Sequence, residues 1–440
     1  MKTMDELGDW RRTHYSKEVT PKIEGSSITI FGWVTSIRRQ GRLNFLVLQD
    51  KEGVVQVTAH EDKAPKDVSA SLKTLREHST VGVQGVVRSI EKAPHGAEVI
   101  PKEIRVLGLA ERPPPFMLYG GKLPTLDKRL DIRAVDLRRP RTQAVFKIRH
   151  NLLAAMRRFF VEQGYIEVNT PKIIATATEG GASLFPLLYY DKEAFLAQSP
   201  QLYKEQLVLA FEKVFEIGPI FRAEKSRTLK HLSEVTSVDV EEAYVSYVDI
   251  LDVLEKITCH VVQHILESCQ DELKLLKREL QMPKRPFKRY TYDDVLKALE
   301  ASRMKTTWGE DLSTQALQKF GEVESEFYFI TDWPTASKPF YIKPKADKPE
   351  VCESFDFMYS SIELASGGTR ISSRKMLTQR LKDQGLKPKL FEYHLKIFDY
   401  GMPPHAGFGL GLERLMMALT GEENIREVTL YPRDQFRLAP

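Results

Sequence analysis

The feature that most constrains this chain is a change in its hydrophobic period across a proline-rich, basic stretch. Short β-branched and aromatic runs separated by turns fill residues 18–110, which predicts a small β-barrel. Prolines at 113–115 and glycines at 120–121 then interrupt the pattern. From Phe146 onward, apolar residues recur at helical spacing. We therefore predict a barrel domain at 1–110, a hinge at 111–140 and a second domain at 141–440.

The second domain is predicted to combine helices with a sheet. Ile148, Leu152 and Phe159 fall on one helical face, and Gly164 stands where that helix would end. A short strand follows at 166–168, and a long amphipathic helix is predicted at 250–266. Because strands and helices do not alternate strictly, the pattern favours an α+β fold, an antiparallel sheet flanked by helices.

Composition excludes several classes of protein. Hydrophobic residues make up 42% and charged residues 28% of the chain, as in ordinary globular proteins, so disordered and fibrous classes are excluded. No apolar run approaches the roughly 20 residues that cross a bilayer, and we predict neither a membrane anchor nor a secretory signal. The three cysteines are spaced neither for a zinc site nor for a disulfide framework, which predicts a cytoplasmic location.

The positive charge is concentrated in one stretch. The whole chain carries a net charge of +5, whereas residues 111–150 alone contain ten Lys or Arg and four Asp or Glu. A basic stretch of this kind is suited to tracking a phosphate backbone. It is equally typical of a solvated linker, and the sequence leaves both interpretations open.

The first candidate site lies in two strand-like runs around residues 221–241. If both runs are strands, Arg222 and Glu224 share one face, and Asp239 and Glu241 share one face. An arginine beside carboxylates is suited to holding a phosphate next to an ammonium group. The alternative is a salt-bridged face exposed to solvent.

The second candidate site is a predicted hairpin. A tight turn at Tyr359-Ser360 would place Asp356 opposite Glu363. Like charges directly across a ladder repel each other, so a cation between them would explain the pair. Oxygen ligands of this kind favour Mg²⁺. A solvated and slightly destabilising pair is the alternative.

The third candidate site is a glycine-rich turn from strand to helix, with glycines at 407, 409 and 411. Glycines permit a close approach of the backbone to a ligand. Arg414 would lie in the first helical turn, where the helix dipole and the guanidinium both favour phosphate. The turn lacks the Gly-Lys-Ser/Thr sequence of a Walker loop.

The fourth candidate site is a helix start. Ser199 is predicted as the N-cap and Pro200 as the first helical residue. Lys204, one turn into the helix, would point back toward this N-terminus and make a pocket suited to a carboxylate. The alternative is an ordinary surface lysine.

Together these segments resemble the class II aminoacyl-tRNA synthetases. Pro171, after a helix and a strand, resembles motif 1; residues 221–224 resemble motif 2; and residues 409–414 resemble motif 3. The barrel looks like the OB-fold anticodon-binding domain of subclass IIb. The resemblance spans essentially the whole chain and is strongest to archaeal-type aspartyl-tRNA synthetases. It implies activation of L-aspartate by ATP with Mg²⁺, transfer to tRNA-Asp, and a homodimer.

The resemblance also implies roles for individual residues. Arg222 and Arg414 would be catalytic. Aspartate would be bound by Glu179, Gln201, Lys204, Arg222, Asp239, Ser366 and Arg370. ATP would be bound by Arg222, Ala223, Glu224, Lys230, His231, Leu232, Glu363, Gly411, Leu412, Glu413 and Arg414. Mg²⁺ would be held by Asp356, Glu363 and Ser366.

In the barrel, the resemblance implies anticodon contacts from Phe45, which would stack on a base, and from Gln56 and Glu98, which would read base edges. Relatives that charge both tRNA-Asp and tRNA-Asn tend to have proline at the Pro94 position and to lack tryptophan at the Thr35 position. These two residues favour a relaxed enzyme, although the sequence leaves charging of tRNA-Asn open.

Two alternatives of another kind remain at this stage. Val235 replaces the phenylalanine usual among such relatives, and Lys230 replaces an arginine. These departures suit a catalytically impaired paralogue that acts as a nucleic-acid-binding protein. An asparagine-forming paralogue is the second alternative, but such enzymes lack an anticodon-binding barrel.

Overall fold

The structure is a computed structural model that describes residues 4–120, 122–175, 184–223 and 228–439. The chain forms two compact units, residues 1–124 and residues 125–440. Residues 125–140, which the sequence assigned to the hinge, therefore belong to the second unit. In the described part of the chain, no helix is long and apolar enough to cross a bilayer.

The first unit is a closed five-stranded barrel, as the sequence predicts. Its elements are β1 (Ser27–Gln40), β2 (Leu43–Gln49), β3 (Val54–His60), α1 (Lys66–Thr74), β4 (Thr80–Ser89) and β5 (Ala97–Gly108). The strand order is β1-β2-β3-β5-β4, and β4 pairs with β1 to close the barrel. Alternate residues such as Ile28 and Ile30 point into the barrel core, as a strand period of two requires.

The second unit contains the remaining elements. Its helices are α2 (Leu126–Leu130), α3 (Arg133–Asp136), α4 (Pro140–Glu162), α5 (Gln201–Phe211), α6 (Tyr247–Ser268), α7 (Gln270–Leu276), α8 (Tyr292–Ala301), α9 (Thr314–Gly321), α10 (Arg374–Asp383), α11 (Glu392–Leu395) and α12 (Leu412–Thr420). Its strands are β6 (Ile166–Glu167), β7 (Ile173–Ile174), β8 (Pro186–Tyr189), β9 (Lys192–Leu196), β10 (Lys213–Phe221), β11 (Glu234–Ala243), β12 (Lys288–Thr291), β13 (Phe327–Thr331), β14 (Ser354–Tyr359), β15 (Ile362–Thr369) and β16 (His405–Gly411).

An eight-stranded sheet organises this unit, with the order β12-β13-β14-β15-β16-β11-β10-β6. The six central strands are antiparallel, which confirms the predicted α+β fold. The two edge strands, β12 and β6, each add a parallel pairing that the sequence did not indicate. A separate small sheet has the order β7-β9-β8.

The two predicted long helices are confirmed and pack on one face of this sheet. Helix α4 begins with Pro140 at its first position, where a missing N–H costs nothing. Helix α6 begins with a capping box formed by Ser246 and Asp249. Both helices cover a core that includes Val238 and Val240 of β11. The opposite face of β11 is left to carry polar side chains.

The centre of the basic stretch is buried in the protein. The two predictions for it, a solvated linker and a surface that contacts a phosphate backbone, are therefore wrong for Arg129 and Arg133. Both arginines are buried and face the buried carboxylate of Asp136, with Arg133 Nη1 2.7 Å from Asp136 Oδ2. Arg133 also donates to the carbonyl oxygens of Thr429 and Leu430. The positive charge therefore holds the C-terminal segment onto α2 and α3.

Asp136→Ala should destabilise the protein strongly, because it leaves two buried arginines without their shared carboxylate. Removing one partner of a buried ion pair costs about 3–5 kcal/mol. Asp131→Ala is the matched control, because its side chain is 63% exposed and its pair with Arg437 lies at the surface, worth about 0–1 kcal/mol. Urea unfolding of both variants measures the difference. Equal losses would contradict the structural role of Asp136.

Candidate active site

A cavity of about 380 Å³ lies over the face of the large sheet opposite the α4 and α6 core. Ligand sites typically enclose about 300–1,000 Å³, so the size suits a small-molecule substrate. Strand β11 alternates here as the sequence predicts: Val238 and Val240 enter the core, while Asp239 and Glu241 are buried on the other face. The first candidate site is therefore not a solvent-exposed charged face.

Two buried cations share one carboxylate beneath this cavity. Lys204 Nζ lies 3.0 Å from Asp239 Oδ1 and 3.4 Å from Glu241 Oε2. Arg370 Nε donates to Glu241 Oε1 at 2.9 Å. Both basic side chains are only 2% exposed, so Lys204 is not the surface lysine of the alternative interpretation. Burial disfavours the charged guanidinium of Arg370, but the Glu241 carboxylate outweighs burial and raises its pKa.

Gln201 links this pair to helix α5. The helix begins at Gln201 with Pro200 as its N-cap, one residue later than predicted. Ser199 still contributes to the helix start, because its hydroxyl oxygen accepts the N–H of Gln201 at 3.1 Å. Gln201 Oε1 accepts from Arg370 Nη2 at 3.4 Å. The helix therefore delivers Gln201 and Lys204 to the same buried cluster.

The glycines of β16 make room for the acidic pair of β11. A Cβ at Gly407 would overlap the carbonyl oxygen of Val240 and Oε2 of Glu241. A Cβ at Gly409 would lie 3.2 Å from Asp239 Oδ1, which is also tight. Gly411 lines the cavity, but a Cβ there would make only ordinary contacts. Gly409 and Gly411 both line the cavity, so a close approach of their backbone to a ligand stays a prediction.

A basic group lines another part of the cavity. Arg414 lies in the first turn of α12, as predicted, and its Nη1 donates to the carbonyl oxygen of Glu363 at 3.0 Å. Its Nη2 lies 3.1 Å from Nε2 of His231. Burial, and then the charge of Arg414, lower the pKa of Lys230. Arg222 follows β10 and also lines the cavity, so this part is suited to phosphate groups.

The predicted hairpin exists with a different register, so the prediction that Asp356 faces Glu363 is wrong. Tyr359 pairs with Ile362, Met358 pairs with Glu363, and Asp356 pairs with Ser366. The turn lies one residue later than expected, and Leu364 is an extra residue that forms a β-bulge. Leu364 and Ala365 consequently both face the core. The bulge lets Glu363 and Ser366, three residues apart, line the same cavity.

Asp356 is engaged by a lysine that the sequence analysis missed. Lys338 Nζ lies 2.8 Å from both carboxylate oxygens of Asp356 and 4.0 Å from the centroid of the Trp333 ring. Burial raises the pKa of Asp356 to about 6. Within the described ranges, no three acidic, histidine or cysteine side chains converge as a metal cluster. The carboxylate of Glu363 and the hydroxyl of Ser366 supply the hard oxygen donors that fit Mg²⁺.

The other residues that are predicted to bind ATP differ in their burial and in the contacts that they already make. Leu232 lines the cavity, Ala223 is half-buried after β10, and Leu412 is fully buried in the core. Glu413 also lines the cavity, but its carboxylate already accepts from Arg149 Nη2 at 2.9 Å and from the Thr236 N–H at 2.9 Å. Predictions for Glu179 and Glu224 fall outside the described residues.

In the barrel, the three predicted anticodon residues lie on adjacent strands. Phe45 of β2 is half-buried and alternates with core residues, so it is not a core phenylalanine. Gln56 Nε2 donates to Glu98 Oε2 at 2.8 Å across the β3–β5 pairing. Glu98 is fully buried and also accepts from Arg88.

The two predicted discrimination residues lie elsewhere in the barrel. Thr35 occupies a bulge in β1, and its hydroxyl donates to the carbonyl oxygen of Val47. Pro94 begins a short 3-10 helix before β5. Both side chains are half-buried, so each is partly accessible to a ligand of the barrel.

Sequence reasoning missed Lys338, Tyr341 and Asp311, all of which line the cavity. The first two lie in the loop after the buried strand β13, and the Tyr341 ring lies 5.4 Å from the guanidinium of Arg370. The sequence signal that could have identified Lys338 is a lysine among prolines and aromatic residues directly after an apolar strand. The sequence spacing between that loop and β11 does not show that they are close, because their proximity depends on the order of the strands in the sheet.

The closed barrel precedes a large sheet whose cavity is lined by arginines and carboxylates. Residues 125–435 match the family described as tRNA synthetases class II (D, K and N), and residues 28–107 match the OB-fold nucleic acid binding domain. The chain belongs to the class II tRNA synthetases of this group.

Individual relatives extend over nearly the whole chain. The aspartate–tRNA(Asp/Asn) ligase of Archaeoglobus fulgidus is 48% identical over 427 residues, which cover 97% of this chain and 99% of that protein. The aspartate–tRNA(Asp) ligase of Pyrococcus abyssi is 45% identical, with coverages of 98% and 100%. The solved asparaginyl-tRNA synthetase of Pyrococcus horikoshii, complexed with asparaginyl-adenylate, has a TM-score of 0.93 at 33% identity, with coverages of 98% and 100%.

Proposed function

We propose that this chain is an aspartate–tRNA ligase that activates L-aspartate with ATP and transfers it to the 3′ end of tRNA-Asp. The observation that carries the proposal is the buried pair of Lys204 and Arg370, which share Glu241 beneath the cavity. Arg370 of this pair lines the cavity, and its guanidinium suits the side-chain carboxylate of aspartate. The names of the relatives at 45% and 48% identity support this choice.

The proposed chemistry needs positioning and charge stabilisation rather than a protein nucleophile. An oxygen of the substrate α-carboxylate attacks the α-phosphorus of ATP, giving aspartyl-adenylate and pyrophosphate. A hydroxyl of the terminal tRNA adenosine then attacks the carbonyl carbon, and AMP leaves. Arg222 would bind the α-phosphate and Arg414 the γ-phosphate, with His231 holding the guanidinium of Arg414.

Magnesium would be held by Glu363 and Ser366, where it would neutralise charge on the phosphates of ATP. We propose that Asp356 is not a direct ligand of the ion, because Lys338 pairs with both of its oxygens. Instead, Asp356 would keep the ammonium of Lys338 at the side of the cavity. Such an arrangement fixes one positive charge close to the proposed metal ligands.

The proposal extends to three finer points: charging of tRNA-Asn, a homodimer and a cytoplasmic location. The Archaeoglobus relative is named for both tRNA-Asp and tRNA-Asn, and Pro94 with Thr35 favours the same relaxed choice. We therefore propose that tRNA-Asn is charged as well. A homodimer and a cytoplasmic location are proposed from the family resemblance alone.

The impaired-paralogue alternative gains no support, because Arg222, Arg414 and Arg370 all line the cavity.

One assay series tests the function. Aspartate-dependent ATP–pyrophosphate exchange should occur with the purified full chain, and labelled aspartate should then be transferred to tRNA-Asp and tRNA-Asn transcripts. Absence of exchange would favour the inert paralogue. Exchange followed by amide formation, without tRNA charging, would favour an asparagine-forming enzyme. Charging of tRNA-Asp alone would overturn the relaxed specificity while retaining the ligase.

Phe45→Ala should raise the KM for tRNA-Asp without altering aspartate-dependent exchange in the absence of tRNA. Loss of stacking on one base costs about 1–3 kcal/mol, or about a 5- to 150-fold change. Phe45→Tyr retains the aromatic face and is the matched control, so its KM should stay close to that of the parent protein. A similar rise in both variants would argue against stacking.

A further inference from the structure

A buried acid that the proposed reaction does not use lies behind the amino acid site. Glu205 of α5 is fully buried, and its Oε2 lies 3.2 Å from Nε2 of His394 and 3.9 Å from Nε2 of His405. Both histidines are also fully buried, and they come from α11 and β16 respectively. Three separate elements thus bring titratable groups together one layer behind the cavity.

Glu205 fixes the orientation of Gln201. Its other oxygen, Oε1, accepts from Gln201 Nε2 at 2.6 Å. A carboxylate only accepts hydrogen bonds, so the amide nitrogen of Gln201 must face Glu205. The amide oxygen must therefore face the other way, where it accepts from Arg370 Nη2. A chain of contacts joins the histidines to the arginine of the proposed carboxylate site.

The charges of the cluster require a counterion for Glu205. Asp239, Glu241 and Glu205 are all buried within this group, and Lys204 and Arg370 supply only two positive charges. Burial acts to raise the pKa of Glu205, but the two histidines outweigh burial and lower it. Conversely, burial acts to lower the pKa of His405, and Glu205 raises it. The lowered pKa favours the ionised form of Glu205, in which both carboxylate oxygens are acceptors.

We propose that Glu205, which faces His394 and His405, is a positioning residue that selects amino acids with a side-chain carboxylate by orienting Gln201 against Arg370. This inference rests on the proposed function. Glu241 accepts from Nε and Nη2 of Arg370 at 2.9 and 3.2 Å, and Gln201 Oε1 also accepts from Nη2 at 3.4 Å. The orientation of Arg370 is thereby set before the substrate arrives, which reduces the ordering that binding must accomplish.

Glu205→Gln tests the inference through separate KM values in the exchange assay. An amide at 205 can donate as well as accept, so Gln201 loses its enforced orientation. The KM for aspartate should rise about tenfold or more, whereas the KM for ATP should stay within about twofold. Val208→Ala, a core truncation one turn along α5, is the matched control for destabilisation and should leave both KM values unchanged.

A double variant tests whether Glu205 acts through Gln201. In a Gln201→Ala background, Glu205→Gln should add little to the aspartate KM, because the residue that it orients is already gone. An equal further rise would overturn the proposed route. A similar rise in the KM values for aspartate and for ATP in Glu205→Gln would also overturn it, because such a rise indicates that the variant disturbs the whole active site.

The histidines offer a second test that leaves Glu205 in place. His394→Phe retains a ring against Phe398 but removes the donor, and it should raise the aspartate KM about tenfold. His394→Gln retains a donor and should rescue the KM to within about twofold of the parent protein. Equal KM values for these two variants would overturn the role of His394.

Failure of the function and failure of the inference have different signatures. Absence of exchange by the parent protein refutes aspartate activation. Unaltered KM values in the variants refute only the positioning role. A crystal structure of Glu205→Gln needs no activity, and it should show Gln201 turned away from Arg370. An unchanged Gln201–Arg370 contact would overturn the inference whatever the substrate is.

Discussion

Arg370→Ala should reduce kcat/KM for aspartate in the exchange assay by about 10²–10⁴, from the loss of two charge-assisted hydrogen bonds worth about 1.5–3 kcal/mol each. The variant also leaves Glu241 with Lys204 as its remaining cationic partner in a buried site. With one cationic partner fewer, Glu241 would then repel the carboxylate of the substrate. Affinity for tRNA should remain close to that of the parent protein, because the predicted anticodon residues lie in the other unit.

Arg374→Ala is the matched control for Arg370. Arg374 begins α10 four residues later, and its side chain is 36% exposed in surface pairs with Glu392 and Asp399. Its removal should change kcat/KM by less than about threefold, as expected for exposed ion pairs. Near-normal aspartate activation by Arg370→Ala would refute the carboxylate site itself.

Arg414→Ala should lower kcat of the exchange reaction by about 10²–10³, the usual effect of removing one donor that stabilises transition-state charge. Arg414 bridges His231 and the backbone of Glu363, so it is already held in position before ATP binds. The KM for aspartate should change little, because Lys204 and Arg370 remain paired with Glu241. Stopped-flow measurement of adenylate formation separates this effect from product release.

Arg414→Lys is the informative companion variant. Lysine keeps the charge but loses the planar fork that contacts two partners at once, so recovery should be incomplete. Full activity in the lysine variant would mean that charge alone suffices. Loss of aspartate binding in either variant would contradict the separation of the two halves of the cavity.

Several features of the site follow from local sequence patterns. The alternation in β11 correctly separated Val238 and Val240 from Asp239 and Glu241, because a strand has a period of two. Helix α4 and the first turn of α12 were likewise predicted from spacing and caps. These elements depend on residues close in sequence, which is why the pattern is sufficient.

Other features depend on long-range packing and could not be predicted in this way. The extra residue Leu364 shifted the hairpin register, and no local signal distinguishes that bulge from a regular turn. The charge of residues 111–150 was predicted to face solvent or phosphate. Instead, Arg133 meets backbone carbonyls almost three hundred residues away along the chain. A net charge says nothing about which partners burial will provide.

The carboxylate shared by Lys204 and Arg370 has a consequence for an enzyme working in a salty solution. Glu241 is tethered between the two cations, so it acts as an internal counterion present at a very high effective concentration. Dissolved chloride or phosphate meets cations whose charge Glu241 already balances in large part, so such an anion gains little there. Aspartate brings an ammonium and two carboxylates at fixed spacing, so it makes several contacts at once. The carboxylate site is thereby shielded from the anions that surround it.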